Sequence, residues 1–497
     1  MRAHRELPLA DSVGIEHATS PHTGGDADIA TDVATDIAIN IAADIARRRV
    51  LAATCISYVV VLLDTSIVNV ALERLSVAFD VQMAGLQWVV NAYTLMFASL
   101  LLTGGTLGDR WGARRVYLAG LGLFMLASLA CALAGSPDIL IAARALQGIG
   151  AALLVPCSLK LIRDATPDPQ ARARAIGRWV GLGGIAMAAG PLVGGVLIHW
   201  FDWRSVFFVN VPICLAGMAM AWRITEDRGR AISGPGKPVD LLGLVCGVVA
   251  LGTLVGVLIE GHTLGWTSPV IVGGIIATCF AWAILLRIET VHAHPMLPLG
   301  LFRHGVFSGS TCASMASAFV FYGLLFVASL HFQQARGYSP LQTGVALLPM
   351  TVMVAAGSLL AGRIATRFGP VWPMIAAFGG YAAGALGLWF VTGDMAYGFA
   401  ILPMLAIGLA SGVVSPIATA PALETVPAAR AGVAAAVLNT ARQAGAALGV
   451  ATFGSLLAAL HPFEAGLRAA LALAAVVSLG MVPLWWRVVR RAGRRMA

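Results

Sequence analysis

The sequence predicts an all-α polytopic membrane protein with fourteen transmembrane helices. Three observations carry that expectation. The 497 residues are 58% hydrophobic and only 11% charged, where a soluble domain carries about 25% charged residues. Apolar runs of about 20 residues recur along the chain, and at 1.5 Å rise per residue each crosses a ~30 Å hydrocarbon core. The apolar/polar alternation of a transmembrane β-barrel does not occur.

The predicted helices cover approximately residues 50–72, 86–107, 115–135, 139–161, 176–198, 205–223, 240–260, 269–287, 305–330, 342–363, 372–391, 397–418, 432–458 and 467–487. Ahead of them, residues 28–47 repeat a tetrapeptide, from Asp28-Ile-Ala-Thr to Asp44-Ile-Ala-Arg. On a helix those acids would stack at i,i+4 and repel, so residues 1–49 read as a low-complexity, disordered or marginally helical tail. An amphipathic surface helix is the other reading, but its polar face would be acidic where such helices are basic. A cleavable signal peptide is not expected, because no apolar core follows a basic start.

The first helix holds Asp64 near its middle, where a charge costs roughly 2.5–3.5 kcal/mol on insertion scales. Such a carboxylate needs either a partner or a role. It can titrate, hold a cation or pair with an arginine. After the second helix comes Gly105-Thr-Leu-Gly-Asp109-Arg110-Trp-Gly112. Gly105 and Gly112 permit close approach and a tight turn. Arg110, Arg114 and Arg115 hold this loop on the cytoplasmic side, and Asp109 is free to pair or to cap a helix end. In the fourth helix Arg144, Gln147, Gly148 and Ala151 share one face, which should look into the bundle. In the fifth, Pro191 removes a backbone donor and frees the Met187 carbonyl, so a kink is expected. Gly190 and Gly194 offer a small-residue face, with Gly195 beside it.

The second half repeats the first. Gly362-Arg-Ile-Ala-Thr366-Arg367-Phe-Gly369 follows the tenth helix at an offset of 257 residues from the earlier loop (362 − 105 and 369 − 112). It keeps both glycines and the arginine and has lost the acid. Eight helices separate the two copies. The chain therefore divides into the tail at 1–49, an N-terminal six-helix bundle at 50–225, a linker and two extra transmembrane helices at 226–300, a C-terminal six-helix bundle at 301–490 and a basic tail at 491–497. Gly234-Pro-Gly-Lys-Pro238 is the natural lead-in to the insertion. In the thirteenth helix Asn439, Arg442 and Gln443 share a face that either lines a cavity or joins the halves. Glu260, near the end of the seventh helix, reads as interfacial.

Charge and cysteine content exclude several classes. The net charge of +9 follows from topology rather than nucleic-acid binding. With both termini inside, Lys and Arg gather in the inner loops, and the outer side keeps Arg74, Arg204, Arg336 and Arg468. The seven cysteines all fall in predicted spans without a CxxC pair, so they read as packing residues, not disulfides or metal ligands. Gly236-Lys237 is followed by Pro238, so there is no phosphate-binding lysine loop, and a nucleotide-driven pump is disfavoured. Neither a soluble catalytic domain nor a reactive His/Cys cluster is visible, so an enzyme is not expected.

Together these motifs resemble the major facilitator superfamily. Gly105–Gly112 is similar to its helix 2–3 loop motif, Arg144-x-x-Gln147-Gly148 to its helix 4 motif, and Gly190-Pro191-x-x-Gly194-Gly195 to the helix 5 motif associated with antiporters. Leu63–Leu72, with Asp64 and Asn69, resembles the helix 1 signature of the fourteen-helix drug:proton antiporters. So do Trp88–Leu95 with Tyr93, Trp203–Pro212, Gln333–Gly344 and Ala431–Gly445. Three departures stand out: Glu73 replaces a proline of the helix 1 signature, Ala186 replaces the leading glycine of the helix 5 motif, and Ala113 interrupts the run after Gly112. Residues 1–49 have no counterpart.

The resemblance implies a major facilitator fold in the inner membrane and proton-coupled multidrug efflux by alternating access. Asp64 and Arg144 would couple to the proton. Gly105, Asp109, Arg110, Gly112, Arg114 and Arg115 would form the cytoplasmic gate. Asn69, Tyr93, Gln147, Asn439, Arg442 and Gln443 are candidate cavity residues. The drive would be the proton gradient, with no cofactor and no metal, and a monomer would suffice. A proton-coupled importer of a small metabolite on the same fold is the alternative. A buried acid suits a cationic or amphipathic drug, yet the same acid can serve the proton alone.

Overall fold

The computed structural model describes residues 25–224, 240–291, 297–391, 396–427 and 430–496. The expected linker at 234–238 lies outside the described residues, as do residues 1–24 of the tail and residue 497.

Fourteen long helices follow in order: α1 (Gly25–Phe79), α2 (Met83–Trp111), α3 (Ala113–Ala132), α4 (Pro137–Ala165), α5 (Pro169–Trp200), α6 (Ser205–Trp222), α7 (Leu241–Leu264), α8 (Pro269–Val291), α9 (Gly305–Ala335), α10 (Pro340–Phe368), α11 (Val371–Phe390), α12 (Gly398–Glu424), α13 (Ala431–Ala459) and α14 (Phe463–Met496). Thirteen have a segment long and apolar enough to cross a membrane, that of α1 being Asp44–Phe79. The exception is α13, whose 29 residues include Asn439, Arg442 and Gln443. Its length is ample, and its polarity is accommodated by placing it inside the bundle, against α9, α2 and α7.

The described part of the tail is helical from Gly25. Arg48 Nε meets Asp44 Oδ2 one turn away at 2.9 Å.

Local chemistry sets the other boundaries. Ser136, Asp168 and Asp240 cap α4, α5 and α7 by accepting from Ile139, Ala171 and Gly243 backbone N–H groups, and proline opens both α4 and α5. Ser339 and Gln342 form a reciprocal capping box at the start of α10, satisfying two otherwise orphaned donors. Gly112 and Gly369 end α2 and α10 with φ of 91° and 69°. These are the equivalent positions of the internal repeat, and both demand the left-handed region that glycine enters freely.

Two six-helix bundles, α1–α6 and α9–α14, carry the fold, with α7 and α8 inserted between them in sequence. Small residues govern packing, as expected where lipid removes the hydrophobic drive between helices. A Cβ on Gly104 would lie 2.1 Å from the Ala152 carbonyl oxygen, and one on Gly148 would lie 2.3 Å from that of Tyr93, so α2 and α4 touch backbone to backbone. In the second bundle Gly408 and Gly412 bring α12 equally close to the Met350 and Val354 carbonyls of α10. The bundles meet along α5–α10 and α2–α13, two contacts that the internal repeat makes equivalent.

Hydrogen bonds join the bundles from mid-helix toward the α1–α2 turn. Thr351 Oγ1 donates to the Ala188 carbonyl (2.9 Å), Ser329 Oγ to that of Asn69 (2.6 Å), and Gln87 Nε2 to those of Val450 (3.1 Å) and Ala451 (2.6 Å). At the rim Gln334 Nε2 reaches Glu73 Oε2 at 2.8 Å, so the residue that departs from the helix 1 signature helps close this end.

Candidate functional site

Asp64 lies within α1 and is 0% exposed. Two helices deliver its partners, and a third supports them. Arg144 of α4 donates from Nη1 to Oδ2 at 2.5 Å. Oδ1 accepts from Asn210 Nδ2 of α6 at 2.8 Å and from Gln147 Nε2 at 3.2 Å. Ser128 of α3 accepts from Gln147 at 2.7 Å and from Asn210 at 3.4 Å. Every carboxylate oxygen is thus held by a donor, which is what allows a charge to persist inside a membrane helix.

Arg144 is equally enclosed, at 1% exposure. Its Nε donates to the Val89 carbonyl at 3.1 Å and its Nη1 also to Gln147 Oε1 at 2.8 Å. The guanidinium carbon sits 4.5 Å from the centre of the Tyr93 ring and 5.9 Å from that of Phe207, so aromatic faces cover the cation. The i,i+3 spacing of Arg144 and Gln147 puts both on one face of α4, and Gly148 beside them lets α2 approach. Of the three options open to a buried carboxylate, Asp64 thus takes the arginine partner.

The predicted site residues separate into three groups. Asp64, Arg144, Gln147 and Tyr93 come together. Asn69 does not join them: its side chain donates to the Thr65 and Ser66 carbonyls of its own helix. Asn439, Arg442 and Gln443 lie in the other bundle, where Arg442 Nη2 meets Asn439 Oδ1 at 2.6 Å and Nη1 meets Ser415 Oγ at 3.2 Å, while Gln443 is buried.

The α2–α3 loop forms a second cluster. Asp109 Oδ1 pairs with Lys160 Nζ at 2.6 Å, and the same ammonium donates to the Gly108 carbonyl at 3.1 Å. Arg114 donates to the Ala221 and Trp222 carbonyls at the end of α6, while Arg110 and Arg115 are exposed. The close approach expected of Gly105 belongs to its neighbours. Gly104 abuts α4, and a Cβ on Gly108 would fall 2.8 Å from Cys157 Sγ, whereas at Gly105 the nearest atom is 3.7 Å away. The reason is helical phase: residues 104 and 108 are one turn apart and face α4 together.

The helix 5 motif marks a triple junction. A Cβ on Gly190 would sit 1.9 Å from Ser66 Oγ, and one on Gly194 would sit 2.8 Å from Ile67 Cγ1, so both glycines admit α1. Gly195 instead faces α10, with the Pro340 carbonyl oxygen 2.7 Å from its Cβ position, and a Cβ on Gly344 of α10 would lie 2.3 Å from the Pro191 carbonyl oxygen.

Three residues of the arrangement are not among the sequence candidates: Asn210, Ser128 and Lys160. Asn210 carries a signal, a primary amide inside an apolar run. Ser128 carries none, since serine is common in membrane helices. Lys160 reads as an ordinary inner-side charge.

Comparison with known proteins places the chain in a family. The Major Facilitator Superfamily profile matches residues 54–450. The methylenomycin A resistance protein of Bacillus subtilis (strain 168) is 36% identical over 438 residues, which span 88% of this chain and 93% of that protein. The multidrug resistance protein Stp of Mycobacterium tuberculosis is 36% identical over 82% of this chain and 75% of its own length. Among solved structures, an auto-inhibited POT family peptide transporter has a TM-score of 0.64 at 14% identity, covering 89% of this chain and 96% of that one. The inward-open xylose transporter XylE of E. coli has a TM-score of 0.62 at 16% identity, covering 88% and 95%. These two share the fold.

Proposed function

The chain belongs to the major facilitator superfamily, and from that premise we propose that it exports drugs, antibiotics or other amphipathic small molecules across the cytoplasmic membrane in exchange for protons. The observation that carries the reading is the enclosed Asp64–Arg144 pair with its two amide donors. A carboxylate at that depth changes its surroundings when it changes charge: ionised, it holds α4 and α6 to α1 through the guanidinium and both amides; protonated, it loses the ion pair with the guanidinium and must rearrange its bonds to the amides. That is a two-state element whose balance a proton can shift. Sequence kinship at 36% identity to resistance proteins supports export of an antibiotic-like solute.

The cycle follows from the repeat. The two bundles rock about a midplane site, and the contacts Gly195–Pro340, Gly344–Pro191 and Gln87–Val450 represent the outward side in its closed state. Opening that side lets Asp64 load a proton from outside; closing it and releasing the proton inside resets the pair with Arg144. The α2–α3 loop faces the cytoplasm on the positive-inside rule, with both termini on the same side. Its Asp109–Lys160 contact, together with Arg110, Arg114 and Arg115, serves as the inner gate, and Gly105 and Gly112 shape the turn. Pro191 with Gly190, Gly194 and Gly195 forms the outer seal. The protein acts as a carrier, without catalysis, cofactor or metal, and one chain suffices.

Purified protein in liposomes with an imposed pH gradient tests the reading. Uphill substrate movement should require the gradient, be abolished by a protonophore and be lost in Asp64→Asn. Gradient-driven movement unaffected by Asp64→Asn would overturn the coupling role, and accumulation in the direction of the proton flow would point to an importer.

A further inference from the structure

Arg144 and Arg442 are both arginines deep within membrane helices, and they differ in their partners. Arg144 has a carboxylate; Arg442 has none among the described residues, its partners being the neutral Asn439 Oδ1 and Ser415 Oγ. Its own bundle cannot supply one at that depth. Within the helices α9–α14 themselves the acidic residues are Glu424, the last residue of α12, and Glu464, in the first turn of α14. In the first bundle the mid-span acid is Asp64, fully enclosed and already held by Arg144.

Arg442 is part-exposed. Contact with lipid would be costly for a guanidinium at the centre of a span, and the packing directs it elsewhere. Gly445 and Gly449 press α13 onto the Met315 and Phe319 carbonyls of α9, while Ala447 and Ala451 pack with Leu95 and Ala98 of α2. Arg442 projects between these two flanks and reaches Ser415 on α12. It lies within electrostatic range of Tyr322, whose hydroxyl reaches Met187 Sδ of the other bundle at 3.8 Å. Arg442 therefore borders the space between the bundles. Two of its five N–H donors are committed, and Asn439 and Ser415 fix the plane of the fork that remains.

We propose that Arg442, oriented by Asn439 and Ser415, is an anion subsite, and that the exported substrate is an amphipathic molecule bearing a carboxylate. The subsite rests on the export reading above and names its substrate class. A planar guanidinium with parallel free donors matches a carboxylate bidentately, while the apolar body of the ligand lies against Tyr322 and Met187. Asp64, by contrast, has no free face for a cationic ligand, which leaves it to the proton.

The test uses the full chain in lipid nanodiscs and matched probe pairs: fluorescein and nalidixic acid, their methyl esters, and the cation ethidium. Wild type should bind each acid about tenfold more tightly than its ester, the scale of one charge-assisted bond. Arg442→Gln should erase that preference while leaving ester affinity within about twofold, a pattern that loss of folding cannot mimic. Arg442→Lys should keep part of it. Equal affinity for acid and ester in wild type, or equal losses for both in Arg442→Gln, overturns the proposal. Gradient-driven flux of ethidium or the esters, with none of the acids, overturns the anion subsite and leaves export standing. No gradient-driven flux of any probe overturns the export reading and the subsite with it.

Discussion

Asn210 on α6 donates to Asp64 on α1 at 2.8 Å, while its own side-chain carbonyl oxygen is buried without a partner among the described residues. An amide is suited to both charge states of a carboxyl group: its NH₂ donates to the ionised form, and after a half-turn its oxygen accepts from the protonated one. The orphaned oxygen is what that second state would use. Asn210→Ala should therefore keep the Asp64–Arg144 contact and slow gradient-driven transport by roughly tenfold, with a stability loss of about 1–3 kcal/mol from unmet bonding. Counterflow without a gradient should change little. Equal loss in driven transport and counterflow would show that Asn210 only supports the fold.

Removing one member of the buried pair should be worse than removing both charges. Asp64→Asn leaves the Arg144 guanidinium enclosed with no counter-charge, a situation that costs about 3–5 kcal/mol. The double variant Asp64→Asn/Arg144→Gln replaces the pair with neutral groups that still bond to each other. It should recover most of the thermal stability of wild type in detergent and none of the gradient-driven transport. A double variant no more stable than Asp64→Asn would mean that the pair is not the unit that matters.

The α5–α10 seam is set by absent side chains. A Cβ on Gly344 would fall 2.3 Å from the Pro191 carbonyl oxygen, closer than any real contact, so Gly344→Ala must push α10 away from α5. The expected result is a shift toward the state open at this end. With the native cysteines replaced, a single cysteine at Met187 should label faster with a membrane-impermeant thiol reagent from outside in Gly344→Ala than in its parent. Unchanged labelling would place the hinge elsewhere.

What the sequence shows of this site tracks cost. Asp64 and Arg144 are legible because a charge in an apolar run is expensive and must be compensated. The loop glycines are legible because the motif recurs 257 residues later (369 − 112), and the positive φ at both Gly112 and Gly369 is the physical content of that recurrence. Ser128 is invisible, since a hydroxyl can bond within its own helix at little cost. Asp109 and Lys160 each read as surface charges; their contact depends on the α2–α4 approach at Gly104 and Gly108, which no local pattern states.

The inserted pair offers a last test. Trp88 of α2 donates to Glu260 Oε1 of α7 at 2.8 Å, and Ser455 of α13 donates to the Leu258 carbonyl two residues earlier. Through a single turn α7 thus holds one helix from each bundle, beside the end that is closed, while α8 is tied behind it by Thr278 and Thr253 at 2.8 Å. If the bundles part at this end, α7 cannot keep both contacts, so it favours the closed state by the weaker of the two. A bond to a charged acceptor contributes about 1.5–3 kcal/mol and one to a neutral carbonyl about 0.5–1.5 kcal/mol, so the Ser455–Leu258 contact is the weaker. Trp88→Phe retains the packing and removes the bond that ties α7 to α2, so it should raise the population open at this end by about fivefold, the worth of the weaker contact. Spin labels at Val77 and Phe399, on opposite bundles, report this directly as growth of a longer-distance component in double electron–electron resonance. Glu260→Gln, which keeps a neutral acceptor for the indole, should give a smaller change of the same sign. Distance distributions identical to wild type in both variants would show that α7 rides with one bundle and does not strap the two together.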